Sequence, residues 1–259
     1  MPTAHVNDID LHYEELGSGP PLLLLHGLGS SSRDWELQVP VFAATHRVIT
    51  CDVRGHGRSA KPPGPYSVLL FATDVAALLR HLGTGPVAVV GISMGGMIAF
   101  QLAVDAPALV ERMVIVNSGP ELVLRTWGER MQAWQRLALV QLLGMGGMAR
   151  FLAPRLFPKP EQEEIRRTFT ERWLENDKRA YIASLRALLG WSVADRLGEI
   201  RCPILVIAGD QDYTPLSIKE AYVAQLPQAE LVVIPDSRHA TPIDQPEAFN
   251  RTVGEFLVR

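Results

Sequence analysis

The chain has 259 residues, of which 47% are hydrophobic and 20% are charged, and its formal net charge is −3. A chain of this length and apolar content can bury a large core, which excludes intrinsic disorder. The nearly balanced charge offers no basic face for a phosphate backbone, so we exclude a nucleic-acid partner.

The cysteines and the apolar runs indicate in which cellular compartment the protein works. Cys51 and Cys202 lie far apart in strand-like runs, which is typical of small buried side chains and not of a metal site or a disulfide framework. The first residues show no secretory pattern, and no run reaches the roughly 18 apolar residues of a membrane span. The longest candidate, 137–149, contains a glutamine and three glycines. We expect a soluble, cytoplasmic protein without a membrane span, either a monomer or a homodimer.

Strand and helix patterns alternate along most of the chain. Two short segments, 5–6 and 11–15, flank Asn7 and Asp8 and predict an antiparallel hairpin at a sheet edge. Further runs are apolar on both faces, as strands covered by helices on two sides must be: 21–25, 47–51, 87–90, 112–116, 204–208 and 231–234. Helical patterns lie between them: 32–44, 66–82, 93–105, 215–226 and 247–258. The fold class is α/β, with a mostly parallel sheet of about eight strands and helices on both faces.

The alternation stops between Val116 and Ile204, where only helical patterns occur, at 122–142 and 161–189. A structureless loop of that length is implausible, so we predict an inserted helical cap, 119–200, on a core formed by 1–118 and 201–259. Four of the five tryptophans fall in the cap, where they form its own core or line a substrate pocket: Trp127, Trp134, Trp173 and Trp191.

Three cap residues are candidates for that pocket. Met145 and Met148 lie among glycines in segment 137–149, which is either an adaptable lid over an acyl group or an ordinary helix facing the core. Trp134 is the third predicted pocket residue.

One motif carries chemistry. Gly91-Ile92-Ser93-Met94-Gly95 follows a strand and precedes a helical pattern, which would put Ser93 in a sharp turn at the carboxyl end of the strand. The glycines allow close backbone approach there, and the helix amino terminus favours developing negative charge. Ser93 is the candidate nucleophile; the alternative is a structural glycine turn without catalysis.

Two further segments support a family resemblance. Leu22-Leu-Leu-Leu-His26-Gly27-Leu28-Gly29 resembles the strand and oxyanion loop of the α/β-hydrolase superfamily, and Asp52-Val-Arg54-Gly55-His56-Gly57-Arg58-Ser59 resembles its turn after the next strand. The chain looks like the serine esterase and enol-lactonase branch of that superfamily. The resemblance implies an oxyanion hole formed by the backbone N–H groups of Leu28 and Met94.

The same resemblance assigns a base and an acid. The family's chain order is serine, then acid, then histidine, and only His239 of the seven histidines follows Ser93. His26 and His56 lie in glycine-flanked turns and are expected to be structural, and the remaining four histidines are expected at the surface. The spacing Gly209-x-x-Asp212-x-x-Pro215 resembles the family's acid motif and selects Asp212, with Asp210 and Asp236 as alternatives.

These residues predict a serine hydrolase. A serine at the nucleophile position argues against haloalkane dehalogenases and epoxide hydrolases, which use aspartate there. We expect hydrolysis of carboxylic esters with small to medium acyl groups, as in a carboxylesterase. Alternatives on the same residues are an enol-lactone type of lactonase, a perhydrolase and a carbon–carbon bond hydrolase, which Ile92, Arg238 and Ala240 disfavour.

A ligand receptor with vestigial turnover is the alternative from another class. The partner is a small-molecule ester or lactone. No cofactor and no metal are implied, because the serine, histidine and aspartate supply the chemistry.

Overall fold

A computed structural model describes residues 2–259 of the chain. Eight strands form one sheet: β1 (Thr3–Val6), β2 (Ile9–Leu16), β3 (Pro21–Leu25), β4 (Arg47–Cys51), β5 (Val87–Ile92), β6 (Val110–Val116), β7 (Ile204–Gly209) and β8 (Ala229–Ile234). Their spatial order is β1-β2-β4-β3-β5-β6-β7-β8. The first two strands pair antiparallel and the other six run parallel, which confirms the predicted sheet.

The antiparallel edge begins with the predicted hairpin. Asn7 and Asp8 connect β1 to β2 with φ values of 51° and 61°, the left-handed conformation that a two-residue hairpin turn requires. Both residue types tolerate this conformation better than most others.

The parallel strands are covered on both faces because their apolar residues alternate between two cores. Leu23 and Leu25 of β3 belong to a large cluster on one face, and Leu22 and Leu24 belong to a second cluster on the other. All four leucines are buried. This period of two explains why these strands read as continuous apolar runs in the sequence.

Nine α-helices connect the strands: α1 (Val39–Phe42), α2 (Val68–His81), α3 (Met94–Asp105), α4 (Trp127–Leu156), α5 (Glu163–Leu174), α6 (Lys178–Leu188), α7 (Leu216–Val223), α8 (Thr241–Asp244) and α9 (Pro246–Leu257), counted over residues 2–259. Four of the predicted helices are confirmed as α2, α3, α7 and α9. The fifth, 32–44, is wrong as a single helix. A 3₁₀ turn at Ser32–Trp35 is followed by the short α1, because Pro40 lacks the N–H that a continuous helix would donate to the Glu36 carbonyl.

The segment between β6 and β7 is helical, as expected. It contains α4, α5 and α6, and a bridge between Glu121 and Ser192 brings its two ends together. The α4 helix starts at a capping box in which Thr126 and Glu129 bond each other's backbone N–H. The division into a core and a cap at 119–200 stays a prediction.

Helix α4 is interrupted. Gly144 has φ 65° and ψ −168°, which breaks the helix into two parts, and Pro154 lies in the second part. Within residues 2–259, α4 is the one helix that is long and apolar enough to cross a membrane by length and composition alone. Such a match is weak evidence, and the break at Gly144 argues against one continuous span.

Two of the four histidines expected at the surface are buried. His12 lies in β2, where its backbone N–H donates to the Ser59 hydroxyl, and His46 contacts the Thr45 hydroxyl at 2.8 Å just before β4. The prediction of surface positions is wrong for both. His12 lies within a strand and His46 directly precedes one, so neighbouring parts of the fold cover both side chains. Burial also lowers the pKa of His46 from its ordinary value.

Candidate active site

Ser93 lies in a strained turn between β5 and α3. Its φ of 54° and ψ of −117° place it in a backbone region that a residue with a side chain rarely adopts. The turn depends on close backbone packing: a Cβ at Gly95 would collide with the Leu25 and His26 carbonyls, and one at Gly91 would collide with the Gly95 carbonyl. These contacts explain why glycines flank the serine.

The loop after β3 passes directly over Ser93. A Cβ at Gly27 would lie 3.6 Å from the Cβ of Ser93. His26 holds this loop, because its Nδ1–H donates to the Gly27 carbonyl at 2.8 Å and its Nε2 accepts from the Val53 N–H at 3.0 Å. The expectation that His26 is structural and near the loop agrees with this geometry.

Both predicted oxyanion donors are available near the serine. Leu28 follows Gly27 in this loop, and its N–H has no acceptor among residues 2–259. Met94 is the first residue of α3, so its N–H has no partner within the helix. Leu28 and Ser93 border the same cavity. The two N–H groups are therefore free to bind an anionic oxygen beside Ser93.

The structure brings Asp212 and His239 together. Asp212 follows β7 and His239 follows β8, so both lie at the carboxyl edge of the sheet, where β5 delivers Ser93. The Nδ1 of His239 is 2.8 Å from Oδ1 of Asp212. Since a carboxylate can only accept, Nδ1 carries a proton in this pair and Nε2 is left as the acceptor.

The alternatives Asp210 and Asp236 have other partners. Asp210 accepts the Ser237 N–H at 2.9 Å, and Asp236 pairs with Lys159 at 2.5 Å. Neither forms a hydrogen bond with His239, so the geometry favours Asp212 among the three candidates.

Asn117, which the sequence analysis missed, ties the His239 loop to the sheet. It follows β6 with a φ of 44°. Its side-chain nitrogen lies 2.9 Å from the His239 carbonyl and 2.8 Å from the Thr241 hydroxyl, and its oxygen accepts the Gly209 N–H at 2.9 Å. One buried amide thus fixes the loops that follow β7 and β8.

Lys219 is a second residue that the sequence analysis missed. Its side chain is 1% exposed, and its Nζ lies 2.7 Å from Oδ2 of Asp212 and 2.9 Å from the Thr214 carbonyl. Helix α7 places it seven residues after the acid. The Asp212 carboxylate is therefore shared between a histidine on one oxygen and a buried ammonium on the other.

These two partners control the charge of Asp212. Burial by itself raises the pKa of this carboxyl group, but the hydrogen bonds and charges of His239 and Lys219 outweigh burial, so its pKa lies below the ordinary value of 3.8. Asp212 is therefore ionised at neutral pH.

Tyr213 covers the histidine and borders the same cavity as Ser93. Its hydroxyl is 2.8 Å from Nε2 of His239, and its ring stacks on the imidazole at 4.2 Å. Ser93 and His239 share no direct hydrogen bond in the part of the chain that is described. The tyrosine hydroxyl thus occupies the acceptor that a serine proton would need.

The site opens into a cavity of about 560 Å³ between the sheet edge and the helices that follow β6. Ser93, His239 and Tyr213 border it at the sheet edge. The helices contribute mainly apolar side chains, and Trp173 of α5 is among them. Trp173 therefore borders the cavity and is also part of the main hydrophobic cluster, so the two roles open to the tryptophans meet in this residue.

The three predicted pocket residues do not border this cavity, which corrects that expectation. Trp134 is 70% exposed on the outer side of α4. Met145 and Met148 are buried in the main hydrophobic cluster. The break at Gly144 changes the direction of the helix, so the methionines that follow it pack into the core as an ordinary core-facing segment does.

No group of three or more metal-binding side chains lies together within residues 2–259. His56 is buried, and burial lowers its pKa to about 3. Its ring lies 5.1 Å from that of His26. His56 is therefore neutral, and it packs beside His26 in the turns around the site.

Comparison with known proteins assigns the family. A model of the alpha/beta hydrolase fold matches residues 20–246. The chain belongs to the α/β-hydrolase family, in its enol-lactonase-like branch, and is a hydrolase.

Known proteins resemble this chain in sequence or structure over nearly its full length. The chain is 31% identical to 3-oxoadipate enol-lactonase 2 of Acinetobacter baylyi, over 99% of this chain and 96% of that protein. Its structure is similar to that of the enol-lactonase from Burkholderia xenovorans LB400, with a TM-score of 0.91, 27% identity and complete coverage of both chains. A thermophilic esterase from Thermogutta terrifontis has a TM-score of 0.88 and 28% identity, over 99% of this chain and 97% of that one.

The Lys219–Asp212 pair predicts a coupled loss of stability. Asp212→Asn leaves an ammonium buried without its counter-ion, so we expect the free energy of unfolding at pH 7 to fall by about 3 kcal/mol. Adding Lys219→Met removes the stranded charge and restores most of the loss. Urea unfolding of the two single variants and the double variant measures this. Glu230→Gln, which breaks the exposed pair with Arg259, is the control and changes stability by less than about 1 kcal/mol.

The pair also has a pH signature. The pKa of Asp212 is lower in the folded protein than its ordinary value of 3.8. The ionised carboxylate therefore makes its full contribution to the free energy of unfolding above pH 3.8, and that contribution is lost as the pH falls through the pKa of the folded state. The double variant lacks this acid-dependent loss. An Asp212→Asn variant as stable as Glu230→Gln would contradict the account.

The position of Tyr213 predicts a faster variant. Proton transfer from Ser93 to His239 requires that the tyrosine hydroxyl leave Nε2, and a neutral hydrogen bond has a net value of about 0.5–1.5 kcal/mol. Tyr213→Phe is therefore expected to raise kcat/KM for 4-nitrophenyl acetate about twofold to tenfold. Tyr222→Phe is the control, because that hydroxyl donates to the Ser118 carbonyl and does not contact His239. A lower kcat/KM for Tyr213→Phe would show that the hydroxyl assists the reaction.

Proposed function

We propose that the protein hydrolyses carboxylic esters or lactones through an acyl-enzyme on Ser93, with His239 as the base and Asp212 as its acid partner. The observation that carries the proposal is the 2.8 Å contact between Asp212 and His239 at the same sheet edge as the strained serine. Strain at a turn that exposes a hydroxyl above a helix amino terminus is typical of a nucleophile.

The reaction follows from these positions. Ser93 Oγ attacks the carbonyl carbon while Nε2 of His239 accepts its proton, once the Tyr213 hydroxyl has moved away. The N–H groups of Leu28 and Met94 bind the resulting oxyanion. His239 then gives the proton to the leaving alkoxide oxygen, the bond between the carbonyl carbon and that oxygen breaks, and water repeats the sequence to release the acid.

Asp212 orients the base and stabilises its charged form. Its Oδ1 holds Nδ1–H, so Nε2 is directed to the cavity, and the negative charge favours the imidazolium that forms. Lys219 on the other oxygen keeps the carboxylate ionised and in place. Lys219 acts on the reaction through Asp212 and is a positioning residue.

Lactone hydrolysis is the second candidate, and the sequence similarity to an enol-lactonase over nearly the whole chain favours it. The chemistry is the same, except that the leaving oxygen remains part of the acyl group, so that deacylation releases one open-chain acid and no separate alcohol. The solved esterase of similar structure supports open-chain esters equally. Carbon–carbon hydrolysis, perhydrolysis, a cytoplasmic location and a monomeric or homodimeric state stay predictions from the sequence.

A panel of 4-nitrophenyl acetate, butyrate and octanoate with γ- and δ-lactones tests the proposal. We expect multiple turnovers for the wild-type protein and a fall in kcat of at least about 10⁴-fold for Ser93→Ala. Ser192→Ala, at an exposed serine outside the cavity, is the matched control.

Two results would contradict the proposal. Undiminished turnover by Ser93→Ala would show that Ser93 is not the nucleophile. One covalent event per chain without further product would indicate a receptor with vestigial turnover.

A further inference from the structure

A second cavity lies beside the one that contains Ser93, and we call it the side cavity. It has a volume of about 170 Å³. Two residues that border it, Arg58 and Glu175, are exposed, so it reaches the protein surface. Three others border both cavities: Ser30, Asp34 and Trp173. The side cavity therefore extends from the surface to a wall that it shares with the Ser93 cavity.

The shared wall carries a carboxyl group that the proposed reaction does not use. The Ser30 hydroxyl donates to Oδ2 of Asp34, and Oδ1 has no hydrogen-bond partner among residues 2–259. Asp34 forms no ion pair in the same range, and burial raises its pKa above the ordinary value. Because a polar atom withdrawn from bulk water needs a partner, Oδ1 is available to a molecule that enters either cavity.

The side cavity is suited to water. Many of its side chains are polar, among them Ser31, Ser32, Asp52 and Asn176. Its volume has room for a few water molecules at roughly 30 Å³ each. The arginines that line it already have acidic partners: Arg33–Glu175, Arg58–Glu14 and Arg172–Glu36. It therefore offers no unpaired cation to an anionic ligand.

The proposed reaction needs water at a stage when the acyl group fills part of the Ser93 cavity. The walls that the helices after β6 contribute are apolar: Leu152, Leu156, Phe169, Leu185 and Leu188. Water is held only where it has polar partners. Ser30 supplies such a group close to the reaction, because its N–H donates to the carbonyl of Gly27, in the loop that passes over Ser93, at 3.3 Å.

We propose that the side cavity supplies the water that releases the acyl group from Ser93, and that Ser30 and Asp34 pass this water into the Ser93 cavity. The water oxygen bonds to the acyl carbon while one of its protons moves to Nε2 of His239. The bond from that carbon to Ser93 Oγ then breaks, and Oγ takes the proton back. The inference rests on the proposed function and adds the path of its second substrate. Asp34 acts through the water and is a positioning residue.

A leucine in place of Asp34 tests the shared wall. Leucine is similar in size but cannot bind water, so Asp34→Leu is expected to slow deacylation about tenfold or more. Acylation consumes no water, so kcat/KM for 4-nitrophenyl butyrate should change less than about twofold. Asp34→Asn keeps a hydrogen-bonding wall and most of the rate. Decay of the butyryl-enzyme, followed by rapid quench in acid and mass spectrometry, measures deacylation.

Competition with butan-1-ol gives an independent readout. This apolar alcohol can take the place of water at the acyl-enzyme and is suited to the apolar Ser93 cavity. If Asp34→Leu hinders water alone, the ratio of butyl butyrate to butyric acid should rise about tenfold or more, in line with the slower hydrolysis.

A variant at the surface tests the path itself. Glu175→Trp puts a bulky side chain at the mouth of the side cavity, away from Ser93, and is expected to slow deacylation while kcat/KM stays unchanged. Glu164→Trp is the matched control, because Glu164 is also exposed and also paired with an arginine, but borders neither cavity. It should change neither step. If Asp34→Leu does not fold, this pair of variants decides.

Three kinetic results would overturn the inference while ester hydrolysis stands. The first is an unchanged deacylation rate and product ratio in Asp34→Leu. The second is a fall in kcat/KM by the same factor as deacylation, which would indicate a displaced oxyanion loop. The third is wild-type deacylation in Glu175→Trp, which would place the entry of water elsewhere.

A crystal structure of Ser93→Ala with butyrate separates this inference from the proposed function, because it requires no turnover. We expect ordered water molecules in the side cavity from Glu175 to Asp34, with one on Oδ1 of Asp34. If no ester is cleaved, the proposed function fails and this structure alone decides. Water that reaches Asp34 then supports the path, and a side cavity without ordered water at Asp34 overturns it.

Discussion

The close crossing of α3 over the sheet is the constraint on which the site depends. Gly95 packs its backbone against the carbonyls of Leu25 and His26, and this contact leaves the chain too little room for a relaxed turn. Ser93 therefore takes a φ of 54°, which lifts its side chain above the sheet. The same crossing sets the first N–H of α3 and the loop after β3 beside the serine. Strain in one residue thus brings the proposed nucleophile and both proposed oxyanion donors to one point.

Charge pairing organises the second half of the site. Asp212 is held between His239 and the buried Lys219, so the imidazole has one orientation and the carboxylate stays ionised. The two loops that carry these residues are joined through Asn117.

Local patterns predicted much of this architecture. Apolar runs gave the strands, the glycine-serine motif marked the turn, and the order of Ser93, Asp212 and His239 along the chain followed from a family resemblance. Strand ends are predictable because parallel strands deliver their carboxyl ends to one edge. The choice among Asp210, Asp212 and Asp236 rested on spacing, and the hydrogen-bond partners now favour the same residue.

Local sequence patterns did not predict which cap residues border the cavity, nor which residues contact Asp212 and His239. Trp134, Met145 and Met148 were chosen by residue type, but the break at Gly144 decides which face of α4 meets the cavity, and a single glycine gives no sign of its backbone angles. Lys219 is one of only four lysines in the chain, a signal that could have drawn attention to it. Its pairing with Asp212, and the position of Tyr213, depend on distances that only the folded chain defines.

In the proposed reaction every acyl group is transferred to Ser93 before water releases it. The most direct measurement is peptide mapping by mass spectrometry of wild-type protein quenched in acid during turnover of 4-nitrophenyl butyrate. We expect a butyryl group on the peptide that contains Ser93, and none after the same treatment of Ser93→Ala. Turnover without any acylated peptide, or acylation at another residue that persists in Ser93→Ala, would contradict it.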